Sequence, residues 1–157
     1  MNDVINSPLL DTITNAMSSE DSFDAAVECL SAIFRETREV DECMSTIQTL
    51  YPRIMALRPK IAQAAETEDA EALRGVTRVF AEAGEAWVVL IARLPDEFRS
   101  LVEAVVECTT RDEGREAISL TFNFWYELKQ YLVLENYIEA RAKLADLFSS
   151  LVDVMIR

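Results

Sequence analysis

Apolar residues recur along this chain at spacings of three and four, the mark of one buried face of an α-helix. The first such stretch follows Ser7 and Pro8, where a proline at the first helical position forfeits no needed hydrogen bond, and is expected to end near Met17. After a polar link at 18–21, Phe23, Ala26, Val27, Leu30, Ile33 and Phe34 predict a helix over 22–37. Met44, Ile47, Leu50, Tyr51, Ile54, Met55 and Ile61 continue a stripe from Asp41. Pro52 and Pro59 each remove a backbone donor and crowd the preceding turn, so kinks or a break are expected there. Glu68 and Asp69 suit a helix N-terminus, and Leu73, Val76, Phe80, Ala83, Trp87, Leu90 and Ile91 form the longest clean stripe, expected to run on to Leu94.

Pro95 restarts the chain, with Phe98, Leu101, Val102, Val105 and Val106 inward and Glu103 and Glu107 outward, until the polar run 109–114. The following stretch is apolar on two sides at once: Ile118, Phe122 and Trp125 on one, Leu120, Phe124, Leu128 and Tyr131 on the other. Such a helix should have neighbours on both flanks. A last helix from about Leu134 uses Ile138, Leu144, Leu147, Phe148, Leu151, Val154 and Met155, and its stripe reaches Arg157 without a capping residue, as expected of an internal fragment. Sustained period-two alternation is absent, so no strands are assigned.

Short connections pair these helices antiparallel. The expected fold is all-α, a single segment over 1–157 in which 8–17 trails a preceding repeat and 22–66, 68–109 and 112–157 are helix pairs. The repeat of about 45 residues falls in the range of HEAT units. One pair cannot bury both its faces alone, so successive pairs stack as an α-solenoid with a curved inner surface suited to an extended partner. A closed helical bundle is the competing architecture.

Composition agrees with helices, since half the residues are apolar while Gly and Pro number only 3 and 4. The formal net charge of −13 opposes attraction to nucleic-acid phosphates and anionic lipid, and draws in basic segments instead. It also serves plain solubility. No apolar run approaches the roughly 20 residues that cross a bilayer, and no secretory layout opens the chain, which reads as soluble and intracellular. Cys29, Cys43 and Cys108 are odd in number and widely spaced, so they suggest neither disulfides nor a metal clip and are taken as small core residues.

With no His in the chain, the usual general base and the commonest metal ligand are missing, and no catalytic, cofactor-binding or metal-binding residues are assigned. Gly75, Gly84 and Gly114 are isolated, which excludes a phosphate loop; Gly75 and Gly84 lie mid-helix, where close packing by an adjacent helix, or else a kink, accounts for them. Trp87 and Trp125 lack the basic groove of a base-stacking platform and are expected to anchor the core. The candidate partner-binding surface is acidic: Asp96, Glu97, Glu103, Glu107, Glu139, Asp146 and Asp153 on the second helices of the pairs, a ladder able to meet Arg and Lys of a partner or simply a solvated face.

Three stretches resemble the karyopherin-β superfamily, and within it the branch of transportin-SR and fungal mRNA-transport-regulator import receptors. They are FDAAVECLSAIFRETREVDE at 23–42, RVFAEAGEAWVVLI at 78–91 and LTFNFWYELKQYL at 120–132. The resemblance implies an internal HEAT-repeat fragment of a much longer receptor that carries basic cargo, including SR-rich or RNA-binding proteins, through nuclear pores under control of the GTPase Ran. It implies second helices on the concave face, first helices meeting phenylalanine–glycine (FG) nucleoporins, and shuttling between nucleus and cytoplasm, with no direct contact to nucleic acid or membrane. The family's Ran-binding residues lie largely in its first repeats and its SR-cargo contacts in later ones, so neither set transfers to residues here. An unrelated helical-repeat interaction scaffold is the alternative.

Overall fold

The computed structural model describes residues 8–17, 20–111 and 116–155. Among them are α1 (Pro8–Ala16), α2 (Glu20–Glu36), α3 (Met44–Met55), α4 (Pro59–Glu66), α5 (Ala70–Ala86), α6 (Val88–Arg93), α7 (Pro95–Arg111), α8 (Glu116–Leu132), a 3-10 turn (Glu135–Tyr137) and α9 (Ile138–Met155), with no strand. Ser7, Ser18, Ser19, the stretch 112–114, Arg157 and the side chains of Val154 and Met155 lie outside the described residues.

The helices pack in two rows. In the first row α5 lies between α2 and α8; in the second α7 lies between α4 and α9, and α5 also contacts α4 and α7 across the rows. One apolar core runs through the array, from Leu30 and Phe34 through Phe80, Trp87 and Leu101 to Phe124 and Leu144. Long-range side-chain hydrogen bonds recur at sequence separations of 42 to 52 residues, among them Arg74 to Glu116, Arg99 to Asp146 and Arg93 to Asp41. Such a recurring offset is the physical trace of a repeat whose copies touch their neighbours in register.

Local chemistry sets the boundaries. Pro52 sits inside α3 without ending it, and the break falls at 56–58, just before Pro59 opens α4. Glu68 takes a left-handed φ of 55°, and the Asp69 N–H donates to the Ala64 carbonyl at 2.9 Å, which closes α4 in a Schellman-type turn. Asp69 then caps α5 by accepting from the Ala72 N–H at 3.1 Å.

The stripe expected to continue to Leu94 is broken at Trp87, which leaves helical geometry (φ −108°, ψ 21°) between α5 and α6. Leu90 and Ile91 keep the helical phase across this single residue, so the pattern alone conceals the break. Trp87 is fully buried. Its Nε1–H donates to Thr37 Oγ1 at 2.8 Å, and its ring meets the edges of Phe34 at 5.5 Å and Tyr51 at 6.3 Å, with Tyr51 in turn against Phe98. One indole thus touches α2, α3 and, through Tyr51, α7.

Two further expectations are corrected. Of the three cysteines only Cys108 is a core residue; Cys29 is exposed and Cys43 half-buried. Burial pushes the Cys108 thiol up to about 12, because the charged thiolate is penalised away from water. On α8 the two flanks are covered unequally: Phe124 and Leu128 are buried, whereas on the flank of Ile118, Phe122 and Trp125 the Phe122 side chain is 61% exposed, beside Tyr126 at 53%, and Trp125 is covered in part by Phe148 of α9. Trp125 is partly buried, with its indole N–H on Thr121 Oγ1 at 3.1 Å.

The mid-helix glycines are explained by close approach. A Cβ on Gly75 would collide with the Phe23 ring, and one on Gly84 would lie 2.8 Å from the ring of Phe124. Phe124 is fully buried and cannot swing aside. Gly84→Ala is therefore expected to lower unfolding free energy by ~1–3 kcal/mol despite its better helix propensity, and adding Phe124→Leu should recover part of the loss in denaturant titration.

Candidate functional site

Of the acidic residues singled out on the second helices, Asp96, Glu97, Glu103, Glu107, Glu139 and Asp146 lie on the outward side of α7 and α9, opposite Phe98, Leu101, Val102 and Val105 on α7 and Leu144 on α9. The alternation follows from helical spacing: apolar positions turn to the core, and 96, 97, 100, 103 and 107 turn away. The structure brings Asp96, Glu103, Glu107, Glu139 and Asp146 together, but interleaves them with cations. The Asp153 side chain lies outside the described residues.

Arg58, between α3 and α4, donates from Nε to Glu107 at 3.1 Å and from Nη1 to Glu103 at 3.5 Å. Glu103 also accepts from Arg99 Nε at 2.8 Å, one helical turn away on α7. Arg99 then reaches across to α9, donating to the Asp146 carboxylate and, at 2.7 Å, to the Lys143 carbonyl. Lys143 closes the chain of contacts with Asp96 at 2.6 Å and Glu139 at 3.0 Å. The expected row of free carboxylates is thus a strap of alternating charge running from α4 through α7 to α9.

Electrostatics follows the strap. The Arg99 guanidinium donates to Asp146 and holds its carboxyl below the usual carboxylate range, while Asp146 in turn raises Arg99; Asp96 and then Glu139 raise Lys143. Glu97 is different. It is exposed and has no salt-bridge partner among the described residues, and it stands beside Asp96 and near the Lys143 end of the strap. At that corner Asp96 and Glu139 share the single cation Lys143, and their side chains are 73% and 80% exposed.

The first row carries a parallel set of pairs. Arg78 lies between Glu28 at 2.6 Å and Glu82 at 3.3 Å, Glu82 also accepts from Ser31, and Arg74 meets Glu116 at 3.0 Å. An open groove of about 670 Å³ beside that last pair is lined by Ala64, Leu73, Ala117 and Leu120 with a rim of Glu66, Asp69 and Arg74. No three His, Cys, Asp or Glu among the described residues group as a metal ion would require. Sequence reasoning missed Arg58, Arg99 and Lys143; the signal that finds them is opposite charges at the repeat offset, Asp96 with Lys143 and Arg99 with Asp146, each 47 residues apart.

The family model described as the second TPR domain of transportin-3 and importin-13 matches residues 68–157. The chain belongs to this family. Similar relatives include an uncharacterized protein of Schizosaccharomyces pombe, 43% identical over 98% of this chain and 16% of its own length. The mRNA transport regulator MTR10 of Saccharomyces cerevisiae is 36% identical over 94% of this chain and 16% of its own, and transportin MOS14 of Arabidopsis thaliana 28% over 80% and 13%. The chain therefore spans about a sixth of these relatives. No solved structure matches it. Members of the family are karyopherin-type transport receptors rather than enzymes. Although the domain is named for TPR units, whose repeat is about 34 residues, the longer offsets here fall nearer the HEAT range.

Arg99→Ala is expected to loosen α9 from α7 and cost ~1 kcal/mol at low salt, with the difference from wild type shrinking as NaCl rises in thermal melts. The pH dependence has a definite sign. A carboxylate lowered in the fold contributes stability above the ordinary carboxylate range near ~4, and that contribution is lost as pH falls through the folded value. Asp146→Asn should therefore melt below wild type at neutral pH and converge with it in acid.

Proposed function

We propose that this chain is an internal segment of a nuclear transport receptor that binds basic or SR-rich cargo proteins and carries them through nuclear pores under Ran control. The observation that carries the reading is family membership over residues 68–157, supported by relatives named as a transport regulator and a transportin. On this reading 8–17 ends one repeat, the pairs 22–66, 68–109 and 112–157 follow, and the whole receptor shuttles between nucleus and cytoplasm. Cargo, Ran and FG nucleoporins are its partners, without direct contact to nucleic acid or lipid. No helix among the described residues is long and apolar enough to cross a membrane.

Within this segment the docking role falls on the corner formed by Asp96, Glu97 and Glu139. Glu103, Glu107 and Asp146 are occupied by Arg58 and Arg99 and act as struts between helix pairs; Asp153 remains a candidate on α9. An incoming arginine offers a planar fork that matches a carboxylate better than the single ammonium of Lys143, so it can take over Asp96 or Glu139 without leaving a buried charge behind.

The test uses the full-length receptor. Glu97→Lys combined with Glu139→Lys should weaken capture of an Arg/Ser-rich peptide on the order of threefold to tenfold at low salt, with a smaller effect at high salt. A complete receptor that bound neither basic peptide nor Ran-GTP at low salt would overturn the transport reading. Unchanged peptide affinity in the double variant would remove only the corner.

A further inference from the structure

Two hollows lie along the edge of the array where the first-row helices begin, one at each junction between helix pairs. The larger, the groove of about 670 Å³, is bordered by the end of α4, the start of α5, the end of α7 and the start of α8. The smaller, of about 320 Å³, is bordered by Met17 after α1, the start of α2, α4 and the start of α5. The same kinds of element thus surround each, one repeat apart. The hollows adjoin, since Ala64 and Asp69 line both. Apolar side chains line them as well, Leu73, Ala117 and Leu120 in the larger and Phe23, Ala72 and Val76 in the smaller.

Their rims carry more acid than the chain neutralises. Arg74 and Arg111 beside the larger hollow are held by Glu116 at 3.0 Å and Glu107 at 3.5 Å, while Glu66 and Glu68 are exposed and have no salt bridge among the described residues. Around the smaller, Asp24 and Glu71 are likewise exposed and without a salt bridge there, against the single cation Lys60. Such a field draws in basic segments. The strap is a different surface: its Glu103, Glu107 and Asp146 are already engaged, and Asp96 stands at the opposite end of α7 from Thr110 and Arg111.

Spacing selects the shape of the occupant. Packed helices lie roughly 8–10 Å apart, which is the step from one hollow to the next along the row of α2, α5 and α8. A polyproline-II chain rises about 3.1 Å per residue with three residues per turn, so every third side chain points the same way, about 9 Å from the last. A β-strand repeats its same-side residues about 6.6 Å apart and misses that step. We propose that the two hollows bind one extended, polyproline-II-like segment of a partner protein. It sets an aliphatic side chain into each hollow, and the Arg or Lys residues between them meet Glu66, Glu68 and Glu71. Asp69, which accepts from the Ala72 N–H, stands between the two seats.

Three labelled peptides of one composition test the register on the full-length receptor at low salt. Each carries two Leu among the same Arg and Gly residues, placed three positions apart, seven apart or adjacent. In fluorescence anisotropy the first should bind on the order of tenfold more tightly than the others, the worth of seating one further Leu side chain. It should weaken on the order of threefold in a receptor carrying Glu66→Gln with Glu71→Gln, exposed positions without a salt bridge, at unchanged Tm. A diazirine-bearing Leu in that peptide should crosslink within 64–76 or 117–120. Equal affinity for all three peptides, tighter binding of the seven-apart form, an unaffected double variant, or crosslinks confined to other parts of the receptor would each overturn the proposal.

Discussion

The array turns on a single buried indole. Trp87 has no solvent access, yet its N–H is satisfied by the Thr37 hydroxyl, which in turn donates to the Phe34 carbonyl at 2.8 Å. A buried indole donor left without a partner costs a large part of what the ring's burial contributes, so the Thr37 contact fixes where α2 ends relative to the start of α6. Phe34, Tyr51 and Phe98 then stack outward from that point. The two rows are held in register by this aromatic knot, and the charged contacts on the surface add alignment rather than bulk stability.

Surface alignment explains why acidic residues outnumber basic ones without leaving the array under severe repulsion. Several cations on the described surface are spent on contacts between successive pairs: Arg78 and Arg74 in the first row, Arg58, Arg99 and Lys143 in the second. Each such pair, being solvent-exposed, is individually weak. Repeated at every junction, they set the angle at which one pair meets the next, which is the quantity that shapes a solenoid's binding surface. Excess negative charge is displaced to places such as Glu97, away from the struts.

Helix identity was legible in the sequence because burial repeats every three or four residues whatever the tertiary context. The all-α assignment, the restart at Pro95 and the cap at Asp69 rest on that periodicity or on chemistry within one turn. What was not legible depends on residues far apart. The break at Trp87 preserves the apolar phase and is dictated by Thr37, fifty residues earlier. The pairing of Asp146 with Arg99 is invisible to a reading of α9 alone, so carboxylates that look free on a helical wheel are engaged. Phe122 satisfied the pattern of a doubly flanked helix, but a pattern states what a face needs and not whether its neighbour is present.

Cys108 gives the array an internal clock. Its thiol is sealed in the core of α7, with ionisation pushed to about 12, so alkylating reagents and oxidants meet an inert sulfur for as long as the rows stay closed. Any modification found there in a working receptor records a moment when the rows parted, and its rate counts how often a superhelix flexes at this joint. Cys29, exposed on α2, is labelled regardless and supplies the reference against which such openings are timed.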